Sequence, residues 1–313
     1  MQSPLVSIAL CTYNGAAYLA QQLDTLINQT YQNIEIVVVD DRSTDETYAI
    51  LKSYAAKYPQ FQIHQNQQNL GFVKNFERAT TLCKGDLIAL CDQDDLWHPE
   101  KIALQVANIK DSVLIYHDSE FIHQDGSSMN KKMSDVVNFY RGDDPLTFLF
   151  FNCVSGHSIM MKRELLDNAL PLKKDHFHDW WLAYVATNIG SIDFIPKCLV
   201  QYRQHDKSDT NILGLERKAD NYKFSSIHKL ERINNWLADC AAFPKNRNPK
   251  LIDAFYKASA KRLKKGITFT LSRLMYKYRD AIFFIRKKGT LSKLNHIYKQ
   301  IWGVNAKKLI DKN

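Results

Sequence analysis

Apolar and polar positions alternate along the first ninety residues in the pattern typical of strands separated by helices. Four short apolar runs predict strands at 5–11, 34–39, 61–64 and 87–91. Helical spacing predicts helices after residue 15, at about 43–57 and at 72–83. Ser43 and Glu46 have the spacing of a capping box, so the second helix is expected to begin there. This alternation predicts a βαβ series and an α/β fold with a mostly parallel central sheet.

Polar residues follow three of these strands. The three sets are 12–14 (TYN), 40–41 (DD) and 92–95 (DQDD). Because the carboxyl ends of parallel strands meet at one edge of a sheet, these side chains are expected to lie together at a ligand site. An Asp-x-Asp at a strand end suits Mg²⁺ or Mn²⁺, which are hard ions that prefer oxygen ligands. A solvated acidic turn is the alternative for that motif taken alone.

The charge divides the chain of 313 residues into two regions. Residues 1–215 hold 18 basic and 26 acidic residues, a net charge of −8, whereas 216–313 hold 24 and 7, a net charge of +17. Regions of opposite sign are expected to have different roles. No apolar run reaches the ~18 to 20 residues of a membrane-spanning helix, and the start lacks the basic segment of a secretory signal. We therefore expect a cytoplasmic protein.

Four segments in order resemble the family 2 glycosyltransferases. They are 6–15 (VSIALCTYNG), 39–45 (VDDRSTD), 69–71 (NLG) and 91–97 (CDQDDLW), and the likeness extends through 178–182 (HDWWL). The resemblance implies the GT-A fold over a catalytic domain at 1–215, followed by a basic α-helical extension at 216–313. It also implies an inverting, metal-dependent enzyme that uses a nucleotide sugar. The bacterial polysaccharide subgroup that includes rhamnosyltransferases carries similar DQDD and HDWW segments.

The resemblance assigns six residues to the nucleotide. These are Thr12, Tyr13, Asn14, Asp41, Lys74 and Asp92. Asp41 matches the acid that accepts the N3 proton of uracil or thymine, while Asp40 is expected to hold the turn. Lys74 stands where many relatives have Arg and is either a phosphate contact or a surface lysine.

The implied cofactor is Mn²⁺ or Mg²⁺. Asp94 matches the metal-binding acid of the family, and Asp92 matches its partner near the ribose or the metal. His205 resembles histidines that complete the metal shell in some relatives. The polar segment 206–214 that follows suits a loop closing over the donor.

Asp179 matches the general base, in a segment where His178 replaces the usual Glu. The residues expected near the donor or acceptor sugar are Gly156, His157, His178, Trp180, Trp181 and Arg203. Gly156 resembles the small residue that lets the backbone approach the sugar, and His157 either faces the site or is structural. Trp180 and Trp181 point in different directions on a helix, so one is expected in the core and the other at the acceptor site.

The basic region reads as helical. Apolar residues at three- and four-residue steps predict one amphipathic helix over 266–288, with the stripe Ile267, Leu271, Leu274, Met275, Tyr278, Ile282 and Ile285. This helix either packs on the catalytic domain or lies on a membrane surface. Nucleic-acid binding would need a recognised motif, and none is found.

The sequence thus predicts an inverting glycosyltransferase that moves a sugar from a dTDP- or UDP-sugar. The suspected donor is dTDP-L-rhamnose, and the acceptor is a growing surface polysaccharide or a lipid-linked glycan at the inner membrane face. An inactive nucleotide-sugar-binding protein is one alternative, which the presence of Asp179 argues against. A basic scaffold or nucleic-acid module is another, which leaves the acidic strand ends unexplained.

Overall fold

A computed structural model describes residues 3–205, 213 and 226–304. The predicted loop at 206–214 therefore lies outside the described residues, apart from Leu213. The strands are β1 (Val6–Thr12), β2 (Ile34–Asp40), β3 (Phe61–Gln65), β4 (Leu87–Cys91), β5 (Leu96–Trp97), β6 (Leu114–Ile122), β7 (Ser128–Lys132), β8 (Met160–Lys162) and β9 (Ile192–Arg203).

Helices cover both faces of the strands. They are α1 (Ala16–Ile27), α2 (Thr47–Lys57), α3 (Phe72–Leu82), α4 (Lys101–Ile109), α5 (Met133–Val136), α6 (Arg163–Ala169), α7 (His178–Ile189), α8 (Ser226–Ala242), α9 (Pro249–Lys264), α10 (Thr270–Lys277), α11 (Arg279–Ile282) and α12 (Thr290–Lys299). Two short 3-10 helices, Pro145–Phe148 and Gly156–Ser158, precede β8.

The described strands form one sheet in the order β3-β2-β1-β4-β8-β6-β9-β5, with β7 on β6. The strands β3, β2, β1 and β4 are parallel, and β8 enters antiparallel between β4 and β6. The predicted α/β class and the first four strands are confirmed. The sheet beyond β4 was not predicted, because its pairing joins segments far apart in sequence.

Side chains alternate between the two faces of the sheet, and each face has its own core. On β1, Ile8 and Leu10 join the core beneath α1, α2 and α4, while Ala9 and Cys11 join the core on the opposite face. Because helices cover both faces, β1 and β2 are apolar almost throughout, as is typical of buried parallel strands.

The predicted capping box is wrong. Helix α2 begins at Thr47, because the Ser43 side chain instead donates to Asp40 and accepts the N–H of Asn14. The N–H of Thr47 donates to Oδ1 of Asp45 at 3.0 Å. Asp45, rather than Ser43, thus supplies the side-chain acceptor at the start of the helix.

The single helix predicted over 266–288 is also wrong. The chain forms α10 and α11 there, with a break at Tyr278. Leu271, Met275, Ile282 and Ile285 from the predicted stripe are buried in the core that also contains residues of α7. These four residues therefore support the alternative in which the region packs on the catalytic domain. Two short helices can stay in contact with a curved core surface, whereas one straight helix would lose contact with it.

The core beneath α3, α6 and α7 contains residues from both sides of position 215. The division into 1–215 and 216–313 stays a prediction, and the described helices of the second region pack on the first. No helix of the described residues has both the length and the apolar character needed to cross a bilayer.

Candidate active site

The carboxyl ends of β1, β2 and β4 lie side by side, because β1 pairs in parallel with both neighbours. The residues that follow these strands are therefore gathered at one edge of the sheet. This arrangement brings the sets 12–14, 40–41 and 92–95 together, as the sequence predicts.

Asp40 holds the turn after β2. Its carboxylate accepts hydrogen bonds from Oγ1 of Thr12 at 3.0 Å, from the Ser43 N–H at 3.0 Å and from Nε2 of Gln65 at 2.9 Å. The side chain is fully buried. These contacts match the expected structural role, and they turn the Thr12 hydroxyl toward Asp40.

Asp41 is the second acid of the pair and is also buried. Its Oδ1 accepts from the N–H of Leu70 at 2.8 Å and from Nδ2 of Asn66, while Oδ2 accepts from the N–H of Gly71 at 2.8 Å. Gly71 has a φ of +81°, a conformation that favours glycine, at the start of α3. Asp41 thus fixes the NLG segment at the sheet edge, and its contact with a base stays a prediction.

The loop after β1 is tied to both neighbouring strand ends. The side chain of Gln93 accepts from the N–H of Tyr13 at 2.8 Å and donates to its carbonyl at 3.0 Å. Oδ1 of Asn14 accepts from the N–H of Thr44 at 2.8 Å. A Cβ at Gly15 would lie 2.1 Å from Oε1 of Gln93, so a larger residue there would displace the Gln93 side chain from the Tyr13 backbone. The sequence reasoning missed Gln93, because the middle position of an Asp-x-Asp motif carries no signal of its own.

Asp94 and His205 meet at the outer side of the acidic loop. Nε2 of His205 lies 2.8 Å from Oδ2 of Asp94, and the His205 ring lies 5.1 Å from the ring of Tyr18. Both side chains are largely buried but retain some solvent exposure. The structure thus brings together two of the three residues that the sequence assigns to the metal.

A second acid of this loop, Asp95, lies near a histidine of the short helix Gly156–Ser158. Asp92, Asp95 and His157 each present one ligand atom, and these atoms lie within 4.8 Å of one another. Asp95 is fully buried, its Oδ1 accepts from the N–H of Arg203 at 3.0 Å, and its Oδ2 lies 3.8 Å from Nδ1 of His157. The sequence reasoning missed Asp95, since nothing in a DQDD run says which acid is buried.

Burial dominates the protonation of this inner group. It raises the pKa of Asp95 well above its ordinary value, and the nearby Asp94 and Asp92 add to the effect. Burial also lowers the pKa of His157 to about 3, so this imidazole is neutral at physiological pH. Nε2 of His157 lies 2.8 Å from Oγ of Ser119. A neutral imidazole beside carboxylates is a ligand set that a divalent cation accepts.

The residues present fit Mn²⁺ or Mg²⁺. Asp94 pairs with His205, and Asp92 lies with Asp95 and His157. Oδ2 of Asp95 is buried and makes no hydrogen bond among the described residues, which suits a group that a cation would compensate.

A buried lysine lies close to the acidic loop. Lys101 is fully buried, and its Nζ lies 3.2 Å from the centroid of the Trp97 ring with no hydrogen bond among the described residues. Burial lowers the pKa of Lys101 to about 7, while Cys91, Asp95 and Asp92 oppose the shift. Lys101 therefore loses its proton more easily in the folded protein than an exposed lysine does.

Arg203 binds the backbone of the acidic loop. Its Nε donates to the carbonyl of Asp94 at 2.8 Å, Nη1 to that of Gln124 at 2.9 Å and Nη2 to Oε1 of Gln21 at 3.0 Å. The side chain is buried, and its guanidinium lies 4.9 Å from the Tyr18 ring. These contacts favour a positioning role, and contact with a sugar stays a prediction.

Asp179 lies in the first turn of α7, where its carboxylate accepts the N–H groups of Trp180 and Gly156. The residue is partly exposed. Desolvation raises the pKa of Asp179 to about 7, and the two backbone hydrogen bonds only partly oppose it. A carboxylate with a pKa near neutrality is well matched to accepting a proton from a hydroxyl group.

Two further predicted residues, Gly156 and His178, lie next to Asp179. A Cβ at Gly156 would lie 2.9 Å from Nε2 of His178, so the backbone there needs a small residue. The His178 ring stacks on Phe76 with centroids 4.4 Å apart, and burial lowers its pKa to about 4. His178 is thus a neutral, buried neighbour of the candidate base.

The two tryptophans separate as expected for adjacent helical positions. Trp181 is buried in the core, where its Nε1 donates to the carbonyl of Ala169 at 2.8 Å. Trp180 is partly exposed, and its ring lies 4.7 Å from that of Trp236 on α8. Trp181 confirms the core position, and the acceptor role of Trp180 stays a prediction.

Lys74 lies on α3, where its Nζ pairs with Glu77 at 2.8 Å. Glu77 also accepts the N–H of Leu172 at 2.6 Å. The phosphate contact of Lys74 stays a prediction, and in this structure the charge is directed to Glu77.

A mostly parallel sheet thus gathers acidic strand ends at one edge, and Asp179 is a carboxylate of near-neutral pKa. The family model "Glycosyl transferase family 2" matches residues 7–170, about half of the chain. The chain belongs to glycosyl transferase family 2.

Curated relatives agree. An uncharacterized glycosyltransferase of Haemophilus influenzae is 24% identical over 290 residues, which are 88% of each chain. An uncharacterized glycosyltransferase of Rickettsia typhi is 29% identical over 321 residues, 95% of this chain and 96% of the relative.

Solved structures share the fold. Residues 1–349 of S. aureus TarS, crystallised with UDP-GlcNAc, align with a TM-score of 0.60 and 18% identity over 89% of this chain and 81% of that one. The mannosyltransferase PcManGT from Pyrobaculum calidifontis, in complex with GDP-Man and Mn²⁺, aligns with a TM-score of 0.50 and 14% identity over 100% of this chain and 80% of that one. The fold is that of the GT-A glycosyltransferases.

Proposed function

We propose that the protein is an inverting glycosyltransferase that moves a sugar from a dTDP- or UDP-sugar to a glycan acceptor. One observation carries the proposal. The short helix Gly156–Ser158 touches both halves of the site, because Gly156 donates to Asp179 while His157 lies 3.8 Å from Asp95. A candidate base and a candidate metal loop thus adjoin the same three residues, as a single displacement between donor and acceptor requires.

In the proposed reaction Asp179 accepts the proton of an acceptor hydroxyl as that oxygen attacks the anomeric carbon. The nucleoside diphosphate leaves from the opposite side, so the configuration inverts. Asp92 and Asp94 would hold Mn²⁺ or Mg²⁺, together with His205 or with Asp95 and His157. When bound, the cation offsets the charge of the departing diphosphate. Burial keeps His157 neutral, so it adds no positive charge of its own.

The donor assignment rests on Asp41. A carboxylate accepts the N3 proton that uracil and thymine share, which supports UDP- and dTDP-sugars alike. The resemblance to rhamnosyltransferases makes dTDP-L-rhamnose the proposed sugar donor. The structure of TarS contains UDP-GlcNAc, and that of PcManGT contains GDP-Man. These complexes support nucleotide-sugar binding by the fold, and their bases differ.

We place the acceptor on a growing surface polysaccharide or a lipid-linked glycan, with the enzyme peripheral to the cytoplasmic face of the inner membrane. The support is the net charge of +17 in 216–313, which suits anionic lipid or an acceptor diphosphate. Trp180 beside α8 is the proposed edge of the acceptor site.

A panel of nucleotide sugars, tested by thermal shift with Mn²⁺ and then by donor hydrolysis, examines this function. A dTDP- or UDP-sugar should raise the unfolding temperature and be hydrolysed slowly, and excess EDTA should abolish hydrolysis. Asp179→Asn is the matched control, expected to bind the donor without turning it over. Binding without turnover in the wild type would favour an inactive nucleotide-sugar-binding protein, and no nucleotide binding would exclude both.

A further inference from the structure

The last described helix presents an apolar face to solvent. On α12, Leu291, Leu294 and Tyr298 recur at three- and four-residue steps and therefore lie on one side of the helix. Leu291 is 84% exposed, and Leu294 and Tyr298 are exposed as well. The helix is anchored elsewhere, because Ile297 is buried in the core. These three side chains are thus not needed to hold α12 in place.

An extended segment continues this face. Ile267 pairs with Trp302 in an isolated antiparallel bridge, and the Trp302 ring lies 6.2 Å from that of Tyr298. Ile267 and Phe269 are exposed on either side of the buried Thr268. We call the six residues Ile267, Phe269, Leu291, Leu294, Tyr298 and Trp302 the α12 surface.

The α12 surface lies in a strongly basic part of the chain. Residues 249–304 contain 14 Lys and Arg against 2 Asp and Glu. Exposed cations in this stretch include Lys264, Lys265, Arg273, Lys277, Lys288 and Lys299. The two acids, Asp253 and Asp280, each lie beside a cation of their own chain. The net charge around the exposed apolar residues is therefore strongly positive.

We propose that the α12 surface docks on an anionic lipid bilayer. Exposed Leu, Tyr and Trp side chains enter the headgroup region readily, and surrounding lysines bind anionic headgroups. A second copy of the chain fits less well, because a twofold contact would place two basic surfaces face to face. The docking face shares only Ile267 with the stripe predicted from the sequence, four residues of which are buried in the core.

The proposal rests on the proposed function only in the expectation of a lipid-linked acceptor. It explains why apolar side chains remain exposed on a region that is otherwise packed against the catalytic domain. A docked α12 would hold the enzyme at the surface where such an acceptor is presented, without any segment entering the bilayer core.

Vesicle sedimentation of the full chain tests the proposal. The wild type should bind vesicles containing phosphatidylglycerol, bind phosphatidylcholine vesicles weakly, and lose binding at high salt. Leu291→Gln with Leu294→Gln should lower the partition coefficient at least roughly tenfold. Ser292→Gln with Asn295→Gln, two exposed polar positions of the same helix, is the matched control and should bind normally.

Three outcomes would overturn the docking. They are equal sedimentation of the leucine variant and the wild type, no preference for anionic vesicles, and a dimer in light scattering that the leucine variant abolishes. The last would assign the α12 surface to a second copy. Donor hydrolysis in solution is measured on the same variants, so a failure of docking with intact hydrolysis leaves the proposed transferase function standing.

Discussion

Replacing Asp179 by Asn should remove activity and at the same time stabilise the folded protein at alkaline pH. Burial raises the pKa of Asp179 from an ordinary 3.8 to about 7. The folded state therefore holds this proton more tightly than the unfolded state does. The resulting stabilisation is complete below about pH 4, and it is lost as the pH rises through about 7. Above that pH the folded protein carries a carboxylate in a place that disfavours it.

The size of the effect follows from the shift in pKa. About three pKa units correspond to at most roughly 4 kcal/mol between the two protonation states. Asn keeps only one acceptor oxygen for the N–H groups of Trp180 and Gly156 and loses the favourable charge at the start of α7. We therefore expect Asp179→Asn to be about 1 to 3 kcal/mol more stable than the wild type at alkaline pH, and to show little gain at acidic pH.

Activity should move in the opposite direction. The amide cannot accept a proton, so transfer should fall by about 10² to 10⁴-fold while donor binding is kept. In the wild type, transfer at saturating donor should rise with pH through about 7, as the carboxylate becomes free to act as a base. The variant should lack this rise.

The test compares thermal unfolding of the wild type, Asp179→Asn and the exposed control Asp167→Asn at acidic and alkaline pH. Calorimetry measures donor binding, and a coupled assay measures transfer. Equal stability of the first two proteins at alkaline pH would refute the argument from burial. Near-normal transfer by Asp179→Asn would remove the residue from the role of base.

Four further substitutions test other parts of the site. Asp94→Asn and His205→Ala should each raise the Mn²⁺ concentration for half-maximal transfer at least ~10-fold, and full wild-type activity in excess EDTA would contradict a metal requirement. Asp41→Ala should weaken UDP and TDP binding in calorimetry and cost ~1 to 3 kcal/mol of stability, because the N–H of Leu70 loses its acceptor. A wild-type preference for CDP or GDP would refute the base assignment. Lys101→Met should raise the free energy of unfolding, measured in urea at neutral pH, by roughly 1 to 3 kcal/mol. The reason is that burial lowers the pKa of Lys101, so the wild type becomes less stable as the pH falls from about 10 toward 7. A lower free energy of unfolding in the variant would show that the buried ammonium is compensated.

The first half of the sheet could be predicted because local signals agree there. The apolar runs of β1, β2, β3 and β4 are continuous and bounded by polar turns, and the structure shifts their ends by only one or two residues. Strand β8 could not be predicted, since three residues carry little pattern and its partners β4 and β6 are distant in sequence. The break between α10 and α11 likewise follows from packing against the core rather than from local sequence.

The candidate site was predictable where a residue type identifies the chemistry. The acids at the strand ends belong to that group, whereas the role of Asp179 rests on the family resemblance and stays a prediction. Gln93 and Arg203 do not, because their roles depend on the loops they reach: Gln93 joins the Tyr13 backbone, and Arg203 joins the Asp94 carbonyl. Such supporting contacts follow only from the folded chain.

The segment Gly156–Ser158 links the two halves of the site. The N–H of Gly156 holds Asp179, and the next residue places its imidazole between Asp95 and Ser119. The same segment leads directly into β8, the antiparallel strand that joins β4 to the rest of the sheet. Since β4 itself runs into the acidic loop, that loop and Asp179 are both held by segments next to β8. Their relative position thus depends on the strand order of the sheet.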